Sequence, residues 1–360
     1  MTTDTQPQFA PQQAAVAPIQ LLDEEGQLHP GAEPAMTTDE MHEALRYMMW
    51  GRAFDAKSFS LQRQGKLGTF APLVGQEAAI MGSAMATDPA RDWLVPQYRE
   101  TPALVRHGHS AERVALYRMG HPHGGNIAAD VKVMQFNISL AAQVPHAVGL
   151  AWGMQLQGQD GVSVAYFGEG SSSEGDFHES ANLAGVVKAP VIFFLQNNQW
   201  AISTPREIQS AAVDLAARAP GYGMPGVSVD GNDLLAVHKV TAEAVARARA
   251  GEGPTLIEAH TFRMWAHTTA DDPTRYVNPE VKERWARRDP IDRMQKYLTS
   301  IDIWSDAQHA GLQSELEAEV EAVFAAASEY PAARPEEIYE HVFESPSASL
   351  ERQRNWHLGA

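Results

Sequence analysis

Residues 162–200 read VSVAYFGEGSSSEGDFHESANLAGVVKAPVIFFLQNNQW, and the fold follows from the spacing of their apolar residues. VSVAYFG (162–168) and PVIFFLQ (190–196) are short, nearly continuous apolar runs, as expected of strands buried on both faces. Between them, EGDFHESANLAGVVK (174–188) places apolar residues at helical spacing. A strand, a one-helix crossover and a second strand make a parallel βαβ unit.

The pattern repeats outward from this unit. GVSVDG (226–231) and PTLIEAHTF (254–262) read as two further strands flanking the helical NDLLAVHKVTAEAVARARAG (232–251). Upstream, a long helix is expected from Thr37, capped at Thr38 and ended by Gly65, then a second over GQEAAIMGSAMA (75–86). The C-terminal third is helical and charged. The fold class is therefore α/β, a doubly wound parallel sheet with a helical C-terminal region. The expected organisation is a mobile arm over 1–35, one domain over 36–345 and a tail over 346–360.

Composition narrows the function. Of 360 residues, 44% are hydrophobic and 20% charged, the balance of a soluble globular chain. No apolar run approaches the roughly 18–20 residues of a membrane span. The first residues, MTTDTQPQFAPQQAAVAP, lack the basic and apolar regions of a secretory signal and contain no Arg. With no cysteine, thiolate metal sites and disulfides are excluded, in keeping with a reducing compartment. A formal charge of −17 argues against nucleic-acid binding, which needs a basic surface. A cytoplasmic location is the simplest expectation.

In doubly wound sheets ligands sit beyond the carboxyl ends of the strands. The first strand runs into Gly168-Glu169-Gly170-Ser171, and the second ends in Asn197-Asn198-Gln199-Trp200. Two glycines around an acid favour a tight turn with amides facing an anion, next to a helix N-terminus near Glu174. The acid repels a diphosphate unless a magnesium ion lies between them. An Asn side chain on the neighbouring strand end offers a second hard oxygen, and the Trp200 carbonyl a third. Alone, a Gly-x-Gly or an Asn pair most often only makes a turn. Together, on adjacent strand ends, they point to a metal–diphosphate site.

Gly168-Glu169-Gly170 followed some thirty residues later by Asn197-Asn198 resembles the thiamine diphosphate motif. YFGEGSSSEGDFHESANLA and PVIFFLQNNQWAISTP resemble the α subunits of 2-oxo acid dehydrogenase complexes, and the similarity runs from about residue 18 to about 345. That resemblance implies the thiamine-diphosphate-binding fold, with Glu169, Asn198 and the Trp200 carbonyl as magnesium ligands. It places Tyr98, Arg99, Gly168, Gly170, Ser171, Arg263 and His267 at the cofactor, with Leu140 propping it into a bent form. Arg suits a diphosphate because its guanidinium stays charged and donates paired bonds. His267, on a loop expected to be mobile, is the implied catalytic residue.

Some features depart from the family pattern. The segment 121–139 is short, Gln196 stands where branched-chain relatives carry an Arg, Thr268 replaces a regulatory Ser, and Ala142 removes a hydroxyl from a potassium site. His107, His109, His121 and His123 form two His-x-His pairs, which read as polar loop rather than metal site.

The resemblance implies an α chain that works with a β subunit as an α2β2 heterotetramer, a lipoyl acyltransferase core and a flavin dehydrogenase. The expected reaction is oxidative decarboxylation of a 2-oxo acid with acyl transfer to lipoamide. Glu169 in place of Asp, Gln97 before Tyr98-Arg99, and Ile202–Pro205 favour branched-chain 2-oxo acids over pyruvate. A magnesium-dependent phosphohydrolase would use Glu169 and Asn198 too, but no nucleophilic Asp has the spacing for it. A non-catalytic assembly subunit is the remaining alternative.

Overall fold

A computed structural model of the chain describes residues 17–340 and 342–359. Its centre is a five-stranded, all-parallel sheet: β1 (Trp93–Val95), β2 (Ser163–Gly168), β3 (Val191–Asn197), β6 (Gly226–Asp230) and β7 (Thr255–His260), in the order β1-β2-β3-β7-β6. The remaining strands, β4 (Trp200–Ala201) and β5 (Thr204–Pro205), form a small antiparallel hairpin just after β3. The four strands expected from the sequence are the four longest of the sheet.

Alternation along the strands decides which side each residue fills. Val191, Phe193 and Leu195 of β3 join Ala165 and Phe167 of β2 beneath helices α5 (Gln143–Leu156) and α6 (Gly175–Val187). The opposite parity, Ile192 and Phe194 with Val164 and Tyr166, packs on α1 (Thr38–Arg63), α2 (Glu77–Met85) and α8 (Leu234–Arg249). Both faces are covered, so β2 and β3 read as apolar runs instead of alternating. Short helices α3 (Thr101–Arg106), α4 (Ala111–Arg118) and α7 (Arg206–Gln209) trim the edges, and α9 (Pro279–Ala286), α10 (Pro290–Ser300) and α11 (Asp306–Ser328) build the helical C-terminal region.

Two boundaries shift. The cap of α1 is Thr37, one residue before the expected Thr38, and it closes a capping box with Glu40. The N-terminal arm divides: residues 1–16 lie outside the described residues, but the stretch from Ile19 to His29 is anchored instead of free. Ile19 pairs with the β6 edge through Ser228 and Asp230, Leu21 and Leu22 are buried, and both of their amides donate to Asp233 at 2.6 and 2.7 Å. The expected tail carries a helix over Ala348–Leu358.

Candidate functional site

The carboxyl ends of β1, β2, β3 and β7 open on one cavity of about 680 Å³. Its walls include Gln97, Tyr98 and Arg99 after β1, Gly168 to Ser171 after β2, Asn198 and Trp200 after β3, and His267 and Thr268 beyond β7. Leu140 also lines it, with 40% of its surface exposed, and next to it Ala141 takes a left-handed φ of 63°. Of the residues the resemblance implies at cofactor, metal or catalysis, Arg263 is the one that does not line the cavity; it stands behind, bonded to the Trp200 and Ile202 carbonyls.

Glu169 is 1% exposed, and its Oε2 accepts the Asn198 amide N–H at 3.1 Å across the β2–β3 gap. Burial pushes this carboxyl up from its ordinary range, while backbone amides, Arg263 and Arg99 pull it down. The Asn198 Oδ1 accepts the Trp200 amide at 3.2 Å, and its Nδ2 donates to Gln76 Oε1 at 3.1 Å. The Trp200 carbonyl already receives a bond from Arg263 Nη1 at 3.3 Å, leaving one lone pair for any further partner. The expected metal set is thus gathered in one place: a buried acid, an amide oxygen and a carbonyl, all hard oxygen donors suited to magnesium.

On the opposite wall, Arg99 donates to the Pro72 carbonyl and, through Nη2, to the His267 carbonyl at 3.0 Å and to Nδ1 at 3.2 Å. Arg263 Nη1 approaches the same Nδ1 at 3.4 Å, and its Nη2 reaches Ile202 O at 2.6 Å and Tyr276 Oη at 2.7 Å. Burial, then Arg99 and Arg263, push the His267 imidazole down to about 4. A guanidinium only donates, so Nδ1 must accept and the proton sits on Nε2. His267 N–H is held by Asp271 at 2.7 Å, and Asp271 also accepts from Tyr276. The loop that carries His267 is hydrogen-bonded within itself and, through Arg263, to the β4–β5 hairpin. Tyr98 stands edge-on to His267 with ring centroids 6.4 Å apart.

The helix after β2 begins where the sequence places it: Ser171–Ser173 form a 3₁₀ turn, and α6 starts at Gly175 with Glu174 as its cap. The Gly168 amide and the Ser171 hydroxyl both donate to Gln97 Oε1 at 3.3 Å. At Gly170 a Cβ would meet the Ala201 methyl at 2.9 Å, so glycine there admits the hairpin; at Gly168 the nearest atom is 3.9 Å away. Residues from 131 to 137 run beside β1, with Val133 paired to Leu94, and carry Phe136 and Ile138 into the cavity wall. Gln196, in place of an Arg, donates to the buried Glu100 at 2.6 Å.

The histidine pairs serve structure. His107 bonds the Asp92 carbonyl at 2.7 Å, while His121 and His123 stand edge-on to Tyr330. A carboxylate absent from the sequence reading, Glu337, does join His123 at 2.6 Å. Sequence reasoning missed Gln76 and also Gln209, whose Nε2 supports the Glu169 carbonyl at 2.7 Å. It missed a cluster of Asp214, Glu258 and His260 as well, on β7 and the segment before Ala216. Uncharged amides and residues on separate segments leave no spacing to read.

Comparison with known proteins gives the family of the chain. Residues 45–336 match the family model described as dehydrogenase E1 component. The chain is 40% identical to the pyruvate dehydrogenase E1 component subunit alpha of Bacillus cereus, over 93% of this chain and 91% of that one. The Bacillus subtilis protein of the same name is 38% identical, with 97% and 95% covered. The 3-methyl-2-oxobutanoate dehydrogenase subunit alpha of Mycobacterium tuberculosis (strain CDC 1551 / Oshkosh) is 42% identical, with 94% and 92% covered.

Proposed function

Because this chain belongs to the dehydrogenase E1 component family, as an α-type subunit of a 2-oxo acid dehydrogenase, we propose that it serves the oxidative decarboxylation of branched-chain 2-oxo acids, with the acyl group passed to a lipoyl arm. The observation that carries the site is the buried Glu169 bonded to Asn198 across adjacent strand ends, facing Arg99 and His267 over one cavity. In this reading Glu169, Asn198 and the Trp200 carbonyl hold magnesium. Tyr98, Arg99, Gly168, Gly170, Ser171 and Arg263 form the bed of the diphosphate, and Leu140 supports the cofactor from the rim. Thiamine diphosphate, when bound, supplies the electron sink for loss of carbon dioxide from the 2-oxo acid.

The chain's own groups do the rest. Arg99 puts a fixed positive charge at the cavity wall, where burial strengthens it. The neutral imidazole of His267 offers an Nε2–H to an oxygen in the cavity and can release that proton. Phe136, Ile138 and Ile202 make part of the wall apolar, which suits a branched side chain and excludes water. Ile138 and Ile202 are also 63% and 55% exposed at the rim. An apolar rim on an open cavity supports completion of the site by a β-type partner, in an α2β2 assembly that feeds an acyltransferase core.

A second reading, pyruvate as substrate, is favoured by the names of the two Bacillus relatives. One experiment separates them: 2-oxo acid-dependent reduction of an artificial acceptor by the α–β complex, with thiamine diphosphate and magnesium. Faster turnover of 3-methyl-2-oxobutanoate than of pyruvate is expected. The reverse order would assign pyruvate, and no turnover with any acid would leave an assembly subunit.

A further inference from the structure

We propose that Gln76 is an unassigned member of this site, with two duties: its side-chain oxygen orients Asn198, and its side-chain N–H binds an anionic oxygen of the ligand in the cavity. The inference rests on the metal–diphosphate reading above and adds a residue to it. Gln76 sits at the N-cap of α2, 1% exposed, and lines the cavity.

The orientation of its amide follows from a chain of unambiguous donors. The Trp200 backbone N–H can only donate, and it meets the Asn198 side chain at 3.2 Å, so that atom is Oδ1. Asn198 Nδ2 must then point the other way, towards Gln76 at 3.1 Å, and the Gln76 atom facing it must be the acceptor, Oε1. Its Nε2 is left buried without a partner among the described residues. Turning the Gln76 amide over would bring two N–H groups together, so the orphan donor is fixed by the backbone of Trp200.

A buried N–H without a partner is a rare feature that calls for a ligand or a water. Here it belongs to a residue that lines a cavity whose proposed occupant carries phosphate oxygens, and that residue is bonded to the amide proposed to hold the metal. The oxygen end of Gln76 acts through Asn198 and so is a positioning group. Its nitrogen end is a binding group.

Two substitutions separate the duties in the complete α–β complex. Gln76→Glu keeps an oxygen towards Asn198 but removes the inward N–H. Gln76→Leu removes both. Binding is read without turnover: Mn²⁺ by electron paramagnetic resonance, and thiamine diphosphate by quenching of tryptophan fluorescence. Gln76→Leu is expected to weaken Mn²⁺ about ten- to a hundredfold, as loss of an outer partner of a metal ligand does. Gln76→Glu is expected to weaken thiamine diphosphate by about tenfold or more, with a smaller change in Mn²⁺ affinity. If wild type binds both and Asn198→Ala loses Mn²⁺, but both Gln76 variants bind like wild type, the inference is overturned while the site reading stands. Unchanged diphosphate affinity in Gln76→Glu alone would mean that the N–H holds only water. If the wild-type complex binds neither probe, the site reading itself fails. Should Gln76→Leu not fold, Gln76→Glu, which is isosteric, still decides the N–H.

Discussion

Arg99 grips His267 twice, donating from Nη2 to its backbone carbonyl at 3.0 Å and to its Nδ1 at 3.2 Å. One guanidinium thereby fixes the position and the tautomer of the imidazole. Burial contributes most to holding the ring neutral, with Arg99 and Arg263 next.

The first prediction concerns that ring. Its folded value, about 4, lies below the ordinary value near 6.5. The stability this contributes is present above about pH 6.5 and lost as pH falls towards 4, because the unfolded chain takes up the proton first. Imidazole NMR signals of His267 are expected to stay neutral from pH 8 down to 5. Substituting Arg99 by Leu should move the midpoint up towards 6.5. A wild-type midpoint near 6.5 would contradict the geometry.

Gly170 and Gly168 look alike in the sequence and are expected to differ on substitution. Gly170 has an ordinary φ of −59°, so Gly170→Ala strains nothing by itself, but the new methyl would press on Ala201 at 2.9 Å. That should cost about 1–3 kcal/mol, as overpacking does. It should also displace the hairpin that presents the Trp200 carbonyl, weakening magnesium-dependent binding of thiamine diphosphate. Gly168→Ala has room and should stay close to wild type in thermal unfolding. Equal effects at the two positions would refute this account.

How far the sequence revealed this site depends on range. β2 and β3 are legible because burial on both faces makes them continuous apolar runs. Glu169 and Asn198 are legible because they end those runs. β1 is only three residues long, and α5 contains Pro145, Gly149 and Gly153, so neither stands out by period or propensity. The chain enters β4 through left-handed Gln199 and turns into β5 at left-handed Ile202, at φ 75° and 56°, and neither is a turn-forming glycine. Residues 17–35 looked free because their anchors, Asp233 and Arg293, lie more than two hundred residues away in the chain. Long-range pairing leaves no local mark.

The pair of acids at the β7 end gives a third prediction. Glu258 is fully buried. It accepts the amides of Leu215 and Ala216 and the side chain of Asn197, and it faces Asp214 and His260. Burial, then the Asp214 carboxyl, raise it from 4.5 to about 8. Its stability contribution is therefore full below pH 4.5 and lost as pH rises through 8. Asp214→Asn keeps the oxygen that accepts the Ala216 amide and offers Glu258 an N–H in place of an acid. The variant should lose less stability than wild type between pH 5 and 8, by on the order of 1 kcal/mol. Parallel melting curves at both pH values would sink the idea.

Asp233 gives the fourth. One carboxylate ties two segments: Oδ1 caps α8 through the amides of Leu235 and Ala236, while Oδ2 receives those of Leu21 and Leu22. Arg293 stands behind it, bonded to the carbonyls of Leu22 and Asp23. Asp233→Ala removes a helix cap, worth about 1 kcal/mol, and strands two buried amides as well, for a total loss of about 2–4 kcal/mol. The loss should also be local. With its amides unpaired, the segment over 17–29 is expected to leave the β6 edge and become the first site cut in limited proteolysis, ahead of any cleavage within the sheet. Asp233→Asn keeps one oxygen and should fall between the two. If Asp233→Ala instead unfolds with an intact N-terminal segment, the anchor is Arg293 and the Ile19 pairing, and the acid serves α8 alone.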